Sequence, residues 1–408
     1  MNRKAMALAV GAALAAPSAL AQVTAPAGSS WELYGKFYPE MTTASGSGAT
    51  PAGQSVATLS AAPTGNGGII HRWEMQVSNT YFGFRANRDL GGGLKAIAQL
   101  ETQVNIDQGD GNPLGNRDSY AGIAADWGTV RLGNMDTPFK KYGDVLGFLG
   151  VSSGNFVSAN NVMRKVSNSG ASSFNLRRAN SIDFASMNFS GLQFAVQYSI
   201  GNPTETSINP ATNRNPRVIS MGVKWEQGPF YAALAAERHF DLFGGSGLLG
   251  GGSAAASNAG SALVNSKDTA VQLTGVYKIG VHSIELDVAQ KDYKEEGAIP
   301  TNGFQEYKHM AYEVVWEARW TSSWRTALSY QKATAGTCAI AVNSCDTGGM
   351  SANQYNVGVA YYFDPSTYLF ALYARLNNGS SARYNNSSQA PSVGEDITQA
   401  SLGLAYTF

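Results

Sequence analysis

The sequence has few charged residues, few histidines and few cysteines, and each of these shortages limits the classes of function that the protein can have. Only 14% of the 408 residues are charged. The four histidines stand at positions 71, 239, 282 and 309. A hydrolase such as a lipase or protease needs a nucleophile or acid beside a positioned histidine, so an enzyme is not expected.

Long apolar runs are also missing, except at the amino terminus. Met1-Asn2-Arg3-Lys4 is a short basic start, and an apolar run follows up to Leu20. Together with the small-residue site Ala19-Leu20-Ala21, it predicts a secretory signal peptide over residues 1–21 and a mature domain over 22–408. No later run reaches 18 apolar residues, so no transmembrane helix is expected.

The charges are nearly balanced, with 29 basic and 29 acidic residues in the full chain. Cleavage after Ala21 removes Arg3 and Lys4 and leaves a formal charge near −2. Such a chain has no excess of positive charge for a polyanion, so nucleic acid is not expected as a partner.

The only two cysteines are Cys338 and Cys345, in a stretch rich in Gly, Ser, Ala and Asn. In an oxidising compartment they are expected to close a small disulfide loop, and two free thiols are the alternative. No histidine lies nearby, so a metal site is not expected, and nothing in the sequence calls for a cofactor.

Glycine and tyrosine are plentiful, with 46 and 19 residues, and many segments alternate between apolar and polar. In the last segment Leu402, Leu404, Tyr406 and Phe408 share one face of a strand, and small or polar residues occupy the other. This pattern is typical of a transmembrane barrel strand, with lipid on one side and water on the other. An edge strand of a soluble sandwich is the alternative. An exported chain without a spanning helix favours the barrel, because backbone polar groups in lipid must be paired internally.

Short and long connections alternate along the chain, which predicts repeated hairpins and not separate domains. The seven short turns lie at 89–93, 126–128, 188–191, 227–229, 278–280, 321–323 and 364–366. The eight long connections lie at 42–71, 108–116, 138–177, 202–216, 241–266, 294–306, 334–351 and 377–396. These fifteen connections predict an all-β fold, a 16-stranded antiparallel transmembrane β-barrel with an aqueous channel.

Two further patterns refine this barrel. The apolar phase changes from Trp73 and Met75 to Phe82 and Phe84, which predicts a bulge or bend between them. Aromatic residues such as Trp127 stand beside the turns, as interfacial girdles require.

Several motifs occur in a fixed order along the chain: Trp31-Glu32-Leu33-Tyr34-Gly35, Phe82-Gly83-Phe84-Arg85, Asp89-Leu90-Gly91-Gly92-Gly93-Leu94-Lys95-Ala96, Asp126-Trp127-Gly128-Thr129-Val130-Arg131-Leu132-Gly133, Tyr373-Ala374-Arg375, Asn377-Asn378-Gly379 and the terminal Phe408. In this combination the chain resembles the general porins of Gram-negative bacteria, in particular the trimeric sixteen-stranded porins of beta-proteobacteria. The resemblance implies an outer-membrane location, contact with outer-membrane lipid, a homotrimer, and an assembly signal formed by Phe408 and Tyr406.

The connection over 138–177 is too long for an ordinary hairpin and is therefore a functional candidate. In porins, the loop after the fifth strand folds into the barrel and forms the constriction, so the resemblance implies the same here. A loop that only covers the outside mouth is the alternative. Between positions 138 and 178 there are six basic residues and one acid, Asp144. The Debye length at physiological salt is similar to the width of such a channel, so this excess would be felt by a permeating ion.

Strand phase and resemblance together give nine candidate residues of the pore constriction. Strand phase points Arg131, Arg85 and Lys36 into the lumen, and the loop contributes Lys140, Lys141 and Arg164. The resemblance implies constriction roles for Arg117 and Arg178. Tyr81 stands where many relatives carry a third arginine, which weakens the implied anion preference.

The function expected from these features is a water-filled channel for passive diffusion of small hydrophilic solutes and ions, with a preference for anions. A channel specific for a small organic anion is the alternative. A structural or adhesive barrel would need a plugged lumen, and the Gly/Ser/Ala-rich segment 244–262 is interpreted as a flexible outside loop and not as a plug.

Overall fold

The computed structural model describes residues 28–77, 79–109, 111, 113–143, 145–148, 160–167, 173–174, 176–201 and 214–408. The expected signal peptide lies outside these residues. Among the residues described, no helix is both long and apolar enough to cross a bilayer.

Strands make up most of this part of the chain. The first ten segments are β1 (Ser29–Phe37), β2 (Glu40–Ser47), β3 (Arg72–Gln76), β4 (Tyr81–Gly91), β5 (Leu94–Gln103), β6 (Ser119–Ala125), β7 (Gly128–Asp136), β8 (Arg177–Ser186), β9 (Leu192–Ile200) and β10 (Arg217–Gln227). The next nine are β11 (Phe230–Phe240), β12 (Val264–Ile279), β13 (His282–Gly297), β14 (Phe304–Arg319), β15 (Trp324–Ala333), β16 (Thr337–Ile340), β17 (Ala352–Asp364), β18 (Thr367–Asn378) and β19 (Asp396–Thr407). Three short helices lie in the connections: α1 (Pro138–Tyr142), α2 (Asn160–Met163) and the 3₁₀ helix η1 (Ser246–Leu248).

The nineteen segments form sixteen strands of one closed antiparallel barrel. Three strands are broken in two, because β1 continues into β2, β3 into β4, and β15 into β16, each pair facing the same neighbour. The ring closes where β19 pairs with β1 and β2. The sixteen-stranded barrel expected from the sequence is thereby confirmed, as is the break between Trp73 and Phe82.

The alternation of side chains follows the barrel wall. On β19, Leu402 and Leu404 are exposed, whereas Ser401 and Ala405 are buried. On β13, the Leu286 side chain is 58% exposed, whereas its sequence neighbours Glu285 and Asp287 are buried. Apolar side chains therefore face outward, where lipid would cover them, and polar side chains face the interior.

The seven short turns lie where the sequence predicts them, and exposed aromatic rings gather beside them. They include Trp127, Trp225, Trp320 and Trp324. Amphipathic rings at one end of the apolar wall form the belt expected at a membrane–water interface.

The carboxyl-terminal residue takes part in closing the barrel. Gly35 N donates to Phe408 O at 3.1 Å, Phe408 N donates to Gly35 O at 3.0 Å, and the Phe408 ring stacks on Phe37. A Cβ at Gly35 would stand 2.6 Å from the Phe408 ring, so this contact requires glycine.

At the opposite end of the barrel, the described parts of five long connections pack together into a loop roof with its own apolar core. Five connections contribute to this core, through Leu59, Val166, Leu248, Met350 and Tyr384. Backbone hydrogen bonds link the loops directly, as where Ala62 N donates to Gly251 O at 3.0 Å.

The segment 244–262 belongs to this roof, as an outside loop and not as a plug, but it is packed there and not loose as its composition suggested. Leu248 and Ala255 are buried, and the Asn258 amide donates to Glu295 on the barrel wall at 2.7 Å. Composition alone misleads here, because the small side chains of this segment allow close packing as readily as flexibility.

The connection over 334–351 carries a disulfide between Cys338 and Cys345, whose Cα atoms are 5.7 Å apart. Next to it, Asp346 N donates to Thr58 Oγ1 at 2.8 Å, and Thr58 N donates to Asp346 O at 2.9 Å. The disulfide therefore holds the part of this connection that contacts the first loop of the roof.

Removing Phe408 should weaken barrel closure, because two backbone hydrogen bonds and a ring stack disappear together. We expect a chain that ends at Thr407 to refold in detergent with a lower yield of the heat-modifiable barrel species on a gel. Phe408→Tyr, which keeps the ring and the backbone, is the control. An unchanged yield for the shortened chain would contradict this role.

Replacing Cys338 and Cys345 by serine should loosen the roof but not the barrel. Opening so short a loop costs about 2–3 kcal/mol in the chain-entropy account of disulfides. We expect faster protease cleavage within 334–351, while the heat-dependent gel shift of the barrel is retained. Equal cleavage rates in the serine variant and the parent protein would refute the expectation.

Candidate pore site

The inner face of β1 and β4–β7 carries basic side chains that lie over tyrosine rings. The cationic groups of Lys36, Arg85, Arg117 and Arg131 lie 4.3, 4.0, 4.7 and 5.3 Å from ring centroids of Tyr38, Tyr34, Tyr81 and Tyr120. Strand alternation explains why Arg85 and Arg131 point inward. Each is next in sequence to a residue, Phe84 or Leu132, whose side chain is exposed on the outer side of the barrel. Such cation–π contacts are worth about 0.5–2 kcal/mol and fix the direction of each cation.

The three arginines of this face are each paired with an acid. Arg85 Nη1 lies 3.1 Å from Glu32 Oε1, Arg117 is paired with Glu101, and Arg131 with Asp183. The pairs of Arg85 and Arg131 join neighbouring strands, and the pair of Arg117 joins the connection before β6 to β5, so positive and negative charge alternate around the wall. Their net charge is therefore zero, and they provide directed hydrogen-bonding groups more than a net positive field.

The connection after β7 begins with α1, which lies on the inner face of β10 and β11. Thr137 caps the helix by accepting from Lys140 N at 3.3 Å. Phe139 N donates to Ser220 Oγ at 3.0 Å, and the Tyr231 hydroxyl donates to Tyr142 O at 2.7 Å. Two wall side chains thus hold the helix inside the barrel.

Beyond α1, carboxylates of the inner wall accept hydrogen bonds from the loop backbone. Glu285 accepts from Val145 N at 3.0 Å and from Leu146 N at 2.6 Å. Glu317 accepts from Phe148 N at 2.8 Å. The described part of this loop therefore runs along the interior wall from β10 to β14.

The returning part of the loop is held by buried cations. Lys291 on β13 donates to Met163 O at 2.7 Å, and Arg164 donates to Gln272 at 3.2 Å and to Lys140 O at 3.0 Å. Arg164 is only 1% exposed. It therefore lies between loop and wall, away from the open part of the lumen.

Most of the remaining loop cations are also engaged. Lys140 pairs with Asp136 at 2.9 Å, and Arg177 pairs with Asp118 at 2.6 Å and with Asp136 at 3.0 Å. Lys141 differs, because its buried Nζ has no hydrogen-bond partner among the described residues. Most of the positive charges that the sequence places in this connection are thus paired with acids or buried.

Between α1 and the wall of β5–β9 lies a cavity of about 430 Å³, here called the α1 cavity. Its lining includes Asp118, Tyr120, Arg131, Lys141, Tyr142 and Asp183. Its volume falls within the range of about 300–1,000 Å³ that is usual for small-molecule sites. The lining combines two cations, two carboxylates and two phenol rings.

Burial perturbs the ionisable groups around α1. Burial, reinforced by Arg131, lowers the pKa of Lys141, and burial raises the pKa of Tyr142 to about 12. Burial alone would raise the pKa of Asp118, but the charge and hydrogen bond of Arg177, the charge of Lys141 and the hydrogen bond from Asp136 N together outweigh it, and the pKa is lowered. Asp118 therefore stays ionised at neutral pH, and Lys141 gives up its proton more easily than an ordinary lysine.

The structure brings most of the sequence candidates to one interior region. Arg178 lies at a bulge at the start of β8, opposite Met135. Sequence reasoning missed Asp183, Tyr120 and Lys291 as partners of the site. The alternation of Asp183 with Ile182 and Phe184 was the available signal for an inward carboxylate. No group of three or more potential metal ligands occurs in the described part of the chain.

The family described as Gram-negative porin matches residues 5–408. Among curated proteins, the major outer membrane protein P.IA of Neisseria meningitidis serogroup C is 28% identical over 249 residues, which are 53% of this chain and 58% of that protein. The chain thus spans less than two thirds of the length of the curated relatives that it matches.

Solved structures share the fold. The anion-selective porin from Comamonas acidovorans has a TM-score of 0.67 and 20% identity, covering 93% of this chain and 100% of that one. OmpT of Vibrio cholerae, folded in vitro and in its trimer form, has a TM-score of 0.60 and 12% identity, with coverage of 93% and 100%. At such identities the likeness establishes the fold alone.

The lowered pKa of Lys141 predicts that this residue loses its positive charge in moderately alkaline solution. A cation with a lowered pKa loses its charge below the ordinary lysine value of about 10.4. We expect the zero-current potential in a KCl gradient to move toward cation preference between about pH 7 and about pH 10.

Lys141→Arg should flatten this pH dependence, because arginine stays protonated throughout the range. Lys140→Arg, on the same helix but paired with Asp136, is the matched control and should leave the profile unchanged. Identical profiles for the two variants would show that Lys141 does not carry the effect.

Proposed function

The chain belongs to the Gram-negative porin family, and on this premise we propose that it forms a water-filled channel in the outer membrane. Small hydrophilic solutes and ions would cross it by passive diffusion, and anions would pass more readily than cations. Homotrimeric assembly and export by a signal peptide over residues 1–21 are parts of the same proposal.

One observation carries the proposal of a selective channel. The described part of the long connection after β7 lies inside a closed barrel, against the wall opposite the face of β1 and β4–β7 that carries the basic side chains. A permeating solute would therefore pass between a polar loop and a wall of alternating charges. This arrangement favours flux, since it provides contacts without a buried, fully enclosed binding pocket.

The proposed anion preference rests on the cations that lack a carboxylate partner. Arg85, Arg117 and Arg131 are neutralised by their acids, whereas Lys36 lies over a ring and Lys141 has no partner among the described residues. An unpaired charge about 4 Å from a passing ion contributes about 1 kcal/mol in bulk water and about 4 kcal/mol beside protein. Two such charges support a moderate preference for anions.

The test is the zero-current potential of the purified protein in a planar bilayer under a KCl gradient. We expect a sign that indicates chloride preference, weakened in the Lys36→Gln/Lys141→Gln variant because the two cations on which the proposed preference rests are removed. Arg117→Gln/Glu101→Gln removes one charge of each sign and is the matched control, for which the sign should persist.

A cation preference in the parent protein would contradict the proposed selectivity. A folded, membrane-inserted barrel without conductance would contradict the channel itself.

A further inference from the structure

The α1 cavity contains one unpartnered donor and one unpartnered acceptor. Lys141 Nζ has no hydrogen-bond partner among the described residues. Asp183 Oδ1 accepts a hydrogen bond from Arg131, whereas Asp183 Oδ2 has no partner in the described part of the chain. Buried polar groups normally have a hydrogen-bond partner, so one unpartnered donor and one unpartnered acceptor in the same cavity call for an explanation.

The two groups are close without forming an ion pair. The charge of Asp183 acts on Lys141, but no contact within 4.0 Å joins them among the described ion pairs. Asp183 is held in place by Arg131, whereas Lys141 has a flexible stem that can turn its ammonium group toward the cavity. A ligand that bridges the gap would satisfy both groups.

The rest of the lining restricts the ligand further. Among the charges of the lining, Asp118 is already paired with Arg177, and Asp183 Oδ1 with Arg131, which leaves Lys141 Nζ and Asp183 Oδ2 as the two groups without a partner among the described residues. A simple anion would satisfy Lys141 but leave Asp183 Oδ2 without a donor. A solute that carries one charge of each sign would satisfy both groups.

We propose that the α1 cavity binds small zwitterionic α-amino acids during their passage through the channel. The carboxylate would accept from Lys141 Nζ, the ammonium group would donate to Asp183 Oδ2, and an aromatic side chain would lie against Tyr120 and Tyr142. The proposal rests on the proposed channel function and adds a substrate class to it. Because an amino acid is neutral overall, its affinity is independent of the channel's preference for chloride.

Blockade of single-channel KCl current by three solutes of similar size tests the proposal. L-Phenylalanine carries both charges, 3-phenylpropanoate only the carboxylate, and phenethylamine only the ammonium group. We expect phenylalanine to block at a concentration at least tenfold lower than either of the others, with saturation.

Two variants assign the two contacts. Asp183→Asn should abolish the advantage of phenylalanine over 3-phenylpropanoate, and Lys141→Gln should abolish its advantage over phenethylamine. Lys140→Gln, on the same helix but outside the cavity lining, should preserve both advantages. The comparison of the three solutes on the unmodified protein stands even if a variant fails to fold.

Each other outcome overturns the proposal. Equal or stronger block by 3-phenylpropanoate would make the cavity a plain anion site, and equal block by phenethylamine would make it a cation site. An open channel that none of the solutes blocks would refute the site but leave the porin function intact. Absence of any KCl conductance would instead refute the channel on which the proposal depends.

Discussion

The closure of the barrel through backbone hydrogen bonds is the constraint on which the rest of the molecule depends. A strand in lipid cannot leave its amide and carbonyl groups unpaired, so every strand needs two neighbours. The chain meets this demand by bringing its last strand back to its first, with Phe408 bonded to Gly35. Once the ring is closed, the side chains that face lipid must be apolar, and most polar side chains of the membrane-spanning wall face the interior.

That interior is organised by charge pairing. Carboxylates of β13 and β14 hold the backbone of the loop after β7, and Lys291 and Arg164 hold its return. On the facing side, arginines pair with acids of neighbouring strands. Most charges thus maintain the shape of the passage, and only a few, Lys141 among them, are left to act on what passes through.

Much of the barrel could be predicted from the sequence, because alternation and turn chemistry are local. The phase of Val130 and Leu132 was enough to place Arg131 inside, and the shift after Met75 predicted the broken second strand. The residues that pair with the candidate pore residues could not be predicted in the same way. Asp183 meets Arg131 only through the register between β7 and β8, and Lys291 donates to a loop residue 128 positions away in the sequence. The roof escaped prediction altogether, since Gly/Ser/Ala-rich loops carry no periodicity that reports on packing.

The loop roof has a consequence for how the protein is recognised from that side. Connections that are far apart in sequence, such as those containing Thr58, Asp346 and Ser381, are joined by direct hydrogen bonds. An antibody or other macromolecule approaching this surface therefore meets a discontinuous epitope assembled from several loops. A peptide copied from any single loop would not reproduce it, and a substitution in one loop would alter the antigenic surface formed by the others.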